Sequence, residues 1–286
     1  LWIAVKSVEN SCMLKYVKPQ QLTEGDWIAK EVKIDGKYIT GPKDLGIEKS
    51  KIKKLGGKVH LGHYAEEIKR NPNGTFTVTA RYKKKIKKFN ADFVVSTIPL
   101  PVMLKALRPK APKEVMKNSE GIGFLSLIVV YFVIPKRNIL SSSYLYFVGR
   151  PYNRISEINK FSPEMCGYDE NMLGVEISCH HTDDVWRYNE KQLFEYCINS
   201  LEGDNIISRD EVKKTFVLRA RYAYPIFFKD SDRHLNSVLQ YLGSIQNFWI
   251  TGRVGKYLYV DIDQCLINSF DLVDNILPEI KSGSKR

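Results

Sequence analysis

One stretch, residues 248–269 (FWITGRVGKYLYVDIDQCLINS), constrains the fold of this chain more than any other. Its pattern predicts a hydrophobic strand that ends at Gly252 and Arg253, then a glycine-containing loop, then a helix that starts near Asp261. Glycines let a backbone approach a ligand closely, and the N–H groups of a helix N-terminus attract an anion or a polarised carbonyl. The same pattern fits an ordinary strand–loop–helix connection capped by an aspartate, so the spacing alone leaves both interpretations open.

The rest of the chain mixes strand and helix patterns. The longest apolar run, residues 122–134 (IGFLSLIVVYFVI), is shorter than the roughly 20 residues that a bilayer requires. Its β-branched and aromatic content predicts a buried strand instead. Residues 75–79 and 93–97 predict further strands, and residues 183–200 predict an amphipathic helix. The expected fold class is therefore α/β (α+β).

Composition narrows the classes of function. A chain of 286 residues predicts about two domains. With 43% hydrophobic and 27% charged residues, the composition excludes a wholly disordered or collagen-like chain. The net charge of +12 permits contact with anionic partners without proving any. Five cysteines without a CxxC pair argue against a disulfide framework or zinc knuckle and favour a reducing, cytoplasmic location.

The predicted pattern of secondary structure changes near Leu55. Residues 14–54 predict short strands joined by turns, among them a hairpin at residues 34–38. A different succession of strands and helices is predicted after this segment, starting with a short strand at residues 58–61. We therefore expect a small β-rich segment over residues 1–55.

The region after residue 55 resembles the FAD-dependent amine oxidase and protoporphyrinogen oxidase-like flavoproteins. Residues 248–269 are similar to the C-terminal flavin-binding signature of that family, which has a strand, Gly-Arg, a glycine, aromatics and an aspartate-containing turn into the last helix. The resemblance covers about residues 56–280 and implies a partial FAD-binding domain at 56–110 and 246–280, with a mixed-sheet substrate domain at 111–245. The other matching segments, in the expected order, are 56–59 with 65–68, 91–99, 144–147, 154–157 and 221–225.

The resemblance also implies roles for individual residues. On the cofactor side, one set of residues would bind FAD, with backbone N–H groups at the helix start facing the pyrimidine edge of the flavin, where charge accumulates on reduction. On the substrate side, Arg154 and Tyr224 are the candidates, and an ordinary structural role remains open for both. No metal ligand and no catalytic residue is assigned. The implied FAD contacts are Val59 at the adenine, Thr97 to Pro99 near the dinucleotide, Gly252 and Arg253 at the pyrophosphate and ribityl chain, and Ile262 and Asp263 at the flavin.

The dinucleotide-binding half of this family's cofactor site is missing from the sequence. No GxGxxG motif follows a strand, and the acidic residue about 20 positions later is absent with it. The resemblance therefore implies a fragment of an oxidoreductase that takes a hydride from a small-molecule substrate. FAD binding would be weak or absent unless a separate chain supplies the missing half. The alternative is a non-catalytic remnant or binding module.

Residues 1–54 resemble a different family, the C-terminal domain of archaeal prepilin (preflagellin) peptidases. The stretch LTEGDWIA at 22–29, with Asp35-Gly36-Lys37 and residues 41–47, carries this resemblance. It implies that Leu1 to Val5 are the stub of a membrane helix, which would be the only membrane association of this chain. The family's catalytic aspartates are absent, so this segment implies no protease activity. A join near residues 55–57, by fusion, truncation or a misassembled reading frame, would explain the two resemblances.

Two further motifs suggest a binding site but are also explained by ordinary structural roles. His180 and His181 lie beside two aspartates, but neighbouring strand residues point to opposite faces and no third metal ligand is placed. The lysine-rich run at residues 83–88 (KKKIKK) suggests contact with nucleic acid or anionic lipid. A solvated hairpin tip is the interpretation that we favour, because no aromatics interleave the run, and we expect no nucleic-acid partner.

Overall fold

The computed structural model describes residues 3–6, 32–34, 37–39, 56–161, 166, 170–229 and 231–282. The chain folds into two compact units. Unit 1 comprises Leu1–Ile122 and Lys229–Arg286, and unit 2 comprises Gly123–Phe228. Within the described residues, no helix is long and apolar enough to cross a membrane.

The described elements are a mixture of strands and helices. The strands are β1 (Ile3–Lys6), β2 (Val32–Ile34), β3 (Lys37–Ile39), β4 (His63–Arg70), β5 (Phe76–Tyr82), β6 (Lys85–Ala91), β7 (Phe93–Ser96), β8 (Leu107–Arg108), β9 (Gly123–Ile134), β10 (Tyr144–Tyr146), β11 (Arg154–Glu157), β12 (Asn171–Cys179), β13 (Lys214–Ile226) and β14 (Phe248–Ile250). The helices are α1 (Leu100–Ala106), α2 (Lys113–Glu120), α3 (Glu190–Gly203), α4 (Ser231–Gly243) and α5 (Ile262–Ser282), with short 3₁₀ turns at Ile158–Lys160, Asp184–Arg187 and Arg209–Glu211.

Unit 1 contains a three-stranded sheet in the order β1-β7-β14, a four-stranded sheet in the order β6-β5-β4-β8, and the β2–β3 hairpin. In the three-stranded sheet, β7 is central, pairing antiparallel with β1 and parallel with β14. Pro99 is the N-cap residue of α1, and its ring fixes the backbone where β7 gives way to the helix. The helix then buries Leu100, Met103 and Leu104.

Unit 2 is an antiparallel sheet in the order β10-β11-β12-β9-β13 with a helix packed on one face. Strand β9 alternates strictly between buried and half-buried residues, so one face lies in the core and the other is open. Residues Ile128, Val130 and Phe132 of β9 share the core with Leu193 and Cys197 of α3.

Several sequence predictions agree with this fold. The mixed α/β class is confirmed, and the predicted strands at 122–134, 75–79 and 93–97 are found as β9, β5 and β7. The predicted hairpin at residues 34–38 is found as the β2–β3 pair, in which Ile34 faces Lys37. The functions assigned to residues 56–110, 111–245 and 246–280 stay predictions.

Three local predictions are wrong. Residues 58–61 form no strand; β4 begins only at His63, after Gly62 adopts a φ of +70°. The helix predicted from residue 183 begins at Glu190, because Asn189 caps it and ends the preceding turn. The predicted helix stub at Leu1 to Val5 is instead a strand over Ile3–Lys6, whose backbone pairs with β7.

Candidate functional site

The carboxyl ends of β7 and β14 lie side by side in unit 1. Ile250 pairs with Ser96, and the Thr251 amide donates to the Ser96 carbonyl at 2.9 Å. Beyond these ends the chain continues into the loops at 97–99 and 251–261, which lead into α1 and α5. In α/β sheets, ligands bind outside the carboxyl ends of parallel strands. The structure thus brings together two of the segments that the sequence assigned to FAD.

Two glycines allow these loops to pack tightly. Gly252 has a φ of +80°, which favours glycine, and a Cβ on it would lie 3.6 Å from the Cβ of Thr97. At Gly255 an added Cβ would fall 2.2 Å from the Thr251 carbonyl oxygen and 3.1 Å from the Thr97 Cα. Only a glycine fits at position 255 without moving backbone.

Arg253 braces the second loop. Its Nη1 donates to the Val260 carbonyl at 2.7 Å, and its guanidinium carbon lies 4.9 Å from the centre of the Tyr259 ring. The exposed carboxylate of Asp261 is 4.0 Å away. The Arg253 side chain is only 25% exposed. Arg253 therefore fixes the path of the chain into α5, a contact that the sequence did not predict.

The first turn of α5 is open to solvent. Ile262 is 81% exposed, and Asp263 lies in the same turn. The first backbone bond of the helix runs from the Cys265 amide to the Asp261 carbonyl at 3.0 Å. The amides of residues 262–264 precede it and have no acceptor inside the helix. A flavin edge or a phosphate at a helix start needs N–H donors of this kind, and the first turn of α5 has them.

The loop offers one further polar group. The hydroxyl oxygen of Thr251 is buried and makes no hydrogen bond within the described part of the chain. A buried hydroxyl without a hydrogen-bond partner reduces the stability of the fold unless a ligand or a water molecule supplies that partner. Together with the close backbone approach at Gly252, this group fits a dinucleotide cofactor.

Pro99 is buried at the start of α1, whereas Val59 is half-buried, ahead of β4 and outside any regular element.

In unit 2, Arg154 lies in a polar cluster on the open face of the sheet. It faces Glu176 across β11 and β12, with its Nε and Nη2 at 2.9 and 2.7 Å from Oε1 of that carboxylate. Its guanidinium carbon is 5.5 Å from the centre of the Tyr144 ring and 5.7 Å from that of Tyr146. Burial lowers the pKa of Arg154, but the hydrogen bond and charge of Glu176 outweigh it and raise the pKa overall.

Aromatic rings extend this cluster across the sheet. Tyr131 stacks on Phe216 with ring centres 4.7 Å apart, and it lies over Gly174, where a Cβ would approach its ring to 3.2 Å. Burial, and then the charge of Glu176, raise the pKa of Tyr131. Tyr224 pairs with Leu125 of β9, on the same open face. The structure thus places both predicted substrate residues, Arg154 and Tyr224, on one surface.

The sequence did not single out Tyr131, Glu176 or Phe216. Their signal was weak: a lone carboxylate within the apolar strand NMLGVEISC, and alternate positions in β9. The histidine pair has an ordinary explanation, since the Asp183 carboxylate accepts from the His180 amide at 2.8 Å and closes a turn. Among the described residues, no three His, Cys, Asp or Glu side chains are grouped as metal ligands would be.

Comparison with solved structures identifies the class of fold. The chain is similar to reduced UDP-galactopyranose mutase, with a TM-score of 0.65 and 18% identity over 80% of this chain and 49% of that one. A protein described as a protoporphyrinogen oxidase from Exiguobacterium sp. 255-15 matches with a TM-score of 0.62 and 15% identity over 80% of this chain and 51% of the other. A putrescine oxidase variant matches with a TM-score of 0.61 and 14% identity over 84% and 53%. The fold is thus of the type found in FAD-dependent oxidoreductases.

The family follows from the sequence itself. The profile of the flavin containing amine oxidoreductases matches residues 42–216, more than half of the chain. This chain therefore belongs to the flavin containing amine oxidoreductase family. The flavin expected from the sequence resemblance is confirmed as the cofactor of the family. No curated protein matches the chain.

Two points bear on the segment before residue 56. The family match begins at residue 42, inside the segment predicted at 1–55. The comparisons give no support to the prepilin peptidase resemblance, and residues 22–29 and 41–47, which carried much of it, lie outside the described residues. The chain spans about half the length of the solved structures that it matches.

Proposed function

We propose that this chain is part of an FAD-dependent oxidoreductase of the amine oxidase and protoporphyrinogen oxidase kind, acting on a small-molecule substrate. The observation that carries the proposal is the parallel β7–β14 pair. Its carboxyl ends hold a glycine loop against Thr97 and lead into the open first turn of α5. Membership of a flavin family supports the same conclusion.

Unit 1 supplies the residues that would hold FAD. Gly255 lets the loop at 251–261 pack against the backbone of Thr97, and the amides at the start of α5 would donate to an electron-rich edge of the cofactor. Arg253 positions this loop through Val260. When bound, a flavin supplies a hydride acceptor, whereas the protein orients it and stabilises its reduced charge. The proposed cofactor residues are Val59, Thr97, Pro99, Gly252, Arg253, Ile262 and Asp263.

Unit 2 supplies the proposed substrate surface. Arg154 is held by Glu176 and flanked by tyrosines, so it presents oriented N–H donors beside flat apolar surface. The stacked rings of Tyr131 and Phe216 extend that apolar area. This arrangement suits a substrate that combines a planar or apolar body with a hydrogen-bond acceptor. Tyr224 is the second candidate on this face.

A dinucleotide-binding half is needed to complete the site, and we propose that a separate chain or segment provides it. Strand β14 lies at the end of its sheet in the described part of the chain, with a backbone edge open to further pairing. Among the described side chains of α5, only Ile276 is buried, although Leu266 and Val273 are apolar. A helix with such an apolar stripe is normally covered.

The experiment is a cofactor titration. The purified chain is mixed with FAD, passed through gel filtration and examined by visible absorbance, with and without a dinucleotide-binding half of a flavin enzyme from this family added in trans. We expect flavin absorbance to stay with the protein when both halves are present, and little when the chain is alone.

A non-catalytic binding module is the second candidate, favoured by the absence of a GxGxxG motif from the sequence. A chain that stays colourless in every combination would support that alternative. Matched variants keep the result interpretable: Arg253→Ala should weaken FAD retention, and Lys256→Ala, in the same loop, should not.

A further inference from the structure

One end of the four-stranded sheet in unit 1 is both basic and apolar. The β5–β6 hairpin turns at Lys83, whose φ is +54°, and the start of β4 lies beside it. We call this surface the basic tip and define it as residues 81–88 together with Leu61 and Tyr64. Its positive charges are Arg81, Lys83, Lys84, Lys85, Lys87 and Lys88.

Apolar side chains are exposed among these charges. Tyr64, Arg81 and Ile86 are in register across β4, β5 and β6, so their side chains share one face. Tyr64 and Ile86 are each 53% exposed, and Leu61, in the turn before β4, is 58% exposed. These apolar residues occupy the same end of the sheet as the lysines.

The positive charge of the tip is largely uncompensated. Residues 83–88 contain no carboxylate, and none of their lysines pairs with one in the described part of the chain. Glu66 does lie near, but it is already paired with Arg81. The pKa of His60 is lowered by burial and then by the positive charges of His63, Lys87 and Lys58. The partner that complements this surface is therefore anionic.

We infer that the basic tip docks on an anionic lipid surface. Stable attachment to a bilayer requires two signals, apolar insertion and attraction to acidic headgroups, and the tip has both. Leu61 and Ile86 are aliphatic residues suited to the headgroup–acyl boundary, and tyrosine prefers the same interface. The inference does not depend on the proposed enzymatic function.

The aromatic residues of the tip argue against nucleic acid as the partner. Proteins that bind single-stranded nucleic acid offer aromatic rings with free faces, on which the bases stack. Tyr82 already stacks on His63, with ring centres 4.8 Å apart and planes at 15°, and the Lys83 ammonium lies 5.6 Å from the ring centre. The guanidinium of Arg81 lies over Tyr64 at 5.8 Å. Among the apolar side chains of the tip, the aliphatic Leu61 is the most exposed, at 58%, which favours lipid.

The test is co-sedimentation of the full chain with vesicles. One set contains phosphatidylcholine alone, and the other contains roughly 30% phosphatidylserine as the anionic lipid. We expect binding only to the anionic set, with affinity that falls as salt rises. The triple variant Lys83→Glu/Lys84→Glu/Lys85→Glu should bind at least about 100-fold more weakly, from about a fivefold loss for each lysine removed. Leu61→Ser/Ile86→Ser should lose about tenfold through the apolar term.

A matched control separates the tip from net charge. Lys105, Lys110 and Lys113 are exposed in the same unit, and their replacement by Glu changes the total charge equally. This control should keep most of the binding. Equal losses in both triple variants, or equal binding to neutral vesicles, would overturn the inference. Tighter binding to an RNA or DNA oligonucleotide than to anionic vesicles at the same salt would overturn it in favour of nucleic acid.

Discussion

At Gly255, the absence of one methyl group decides how closely two loops approach each other. Gly255→Ala would place a Cβ 2.2 Å from one backbone oxygen and 3.1 Å from the Thr97 Cα, and neither atom moves without its strand. We expect a loss of about 2 kcal/mol in the free energy of unfolding of unit 1, as overpacking typically costs. Urea unfolding followed by circular dichroism measures it.

The control for this prediction is another glycine. At Gly243 an added Cβ meets nothing within 4 Å, so Gly243→Ala should change stability by less than about 0.5 kcal/mol. If the two alanine variants unfold at the same urea concentration, the loops at 97–99 and 251–261 do not pack against each other as closely as the structure shows.

Arg253 makes a second residue-scale prediction, in two parts. Removing a charge-assisted hydrogen bond costs roughly 1.5–3 kcal/mol, so Arg253→Ala should weaken FAD binding about 10- to 150-fold where a dinucleotide-binding half is supplied. Because Arg253 also holds Val260, the variant should expose the loop at 251–261 to protease even without FAD. Flavin fluorescence titration and limited proteolysis measure the two effects.

Arg253→Lys refines the test. It keeps the charge but loses the planar fork that reaches Val260 and lies over Tyr259, so it should restore FAD binding only in part. Unchanged FAD affinity in Arg253→Ala would remove this side chain from the site and leave it a purely structural role.

These residues show which kinds of feature a sequence pattern can indicate. Gly252 and Arg253 were singled out because they stand in a continuous motif, and their role at a cofactor stays a prediction. The reason for Gly255 was hidden, because Thr97 comes close to it only after β7 and β14 pair across about 150 residues. Tyr131 and Glu176 were missed for a related reason: the register between β9 and β12 sets their proximity, and no local pattern encodes it.

At the scale of elements, helix α3 shows how a local bond overrides periodicity. The apolar spacing predicted a helix from residue 183, but the Asn189 side chain accepts from the Gln192 amide at 2.9 Å and the Gln192 side chain accepts from the Asn189 amide at 2.9 Å. This capping box starts the helix at Glu190. Asp184–Arg187 form a separate 3₁₀ turn.

The cap carries a prediction of its own. Asn189→Ala should lower the free energy of unfolding of unit 2 by about 1 kcal/mol, because the Gln192 backbone amide loses its side-chain acceptor. Thermal unfolding followed by circular dichroism measures the change. Lys191→Ala, two positions further on and exposed, is the control and should be close to neutral. A cap variant as stable as the parent would mean that the turn compensates for the lost bonds.

At the scale of the whole molecule, acid sets a limit on the stability of unit 2. Arg150 donates to both carboxylate oxygens of Asp204, at 2.7 and 2.5 Å, and this hydrogen bonding lowers the pKa of Asp204. A carboxyl whose pKa is lower in the folded state stabilises the fold above its unfolded pKa, near 4, and loses that contribution as the pH falls through its folded pKa. The backbone amide of Ser208 lowers the pKa of Glu211 in the same direction.

Melting temperature measured against pH tests this linkage. The parent should lose stability steeply below about pH 4, and Asp204→Asn should be less stable at neutral pH but show a shallower decline in acid. Asp184→Asn is the control, because that carboxylate is almost fully exposed and should leave the profile unchanged. Parallel profiles for the parent and Asp204→Asn would show that Asp204 does not contribute to acid unfolding.

The sequence predicted the fold class better than the boundaries of its elements. The resemblance to flavoproteins predicted a mixed α/β chain, and the structure is of that class. The cofactor region predicted at 56–110 and 246–280 stays a prediction; the structure divides the chain into Leu1–Ile122 with Lys229–Arg286 and Gly123–Phe228. The prediction for the start of the chain was wrong: Ile3–Lys6 form a strand that pairs with β7, and four residues are too few to distinguish a strand from a helix by pattern.

The parallel pairing of β7 with β14 has a consequence for the order of events on the ribosome. Val94 leaves the exit tunnel about 150 residues before its partner Phe248, which at typical rates of synthesis is a delay of roughly 10 seconds. Throughout that interval one edge of β7 has no partner. Gly123–Phe228, a continuous segment with its own core, is complete 20 residues before Phe248 and can fold before β14 pairs with β7. The nascent chain thus passes through a stage in which unit 2 is folded and unit 1 still lacks β14. A stop codon placed between Phe228 and β14 would release this half-folded species, with an open strand edge that favours aggregation.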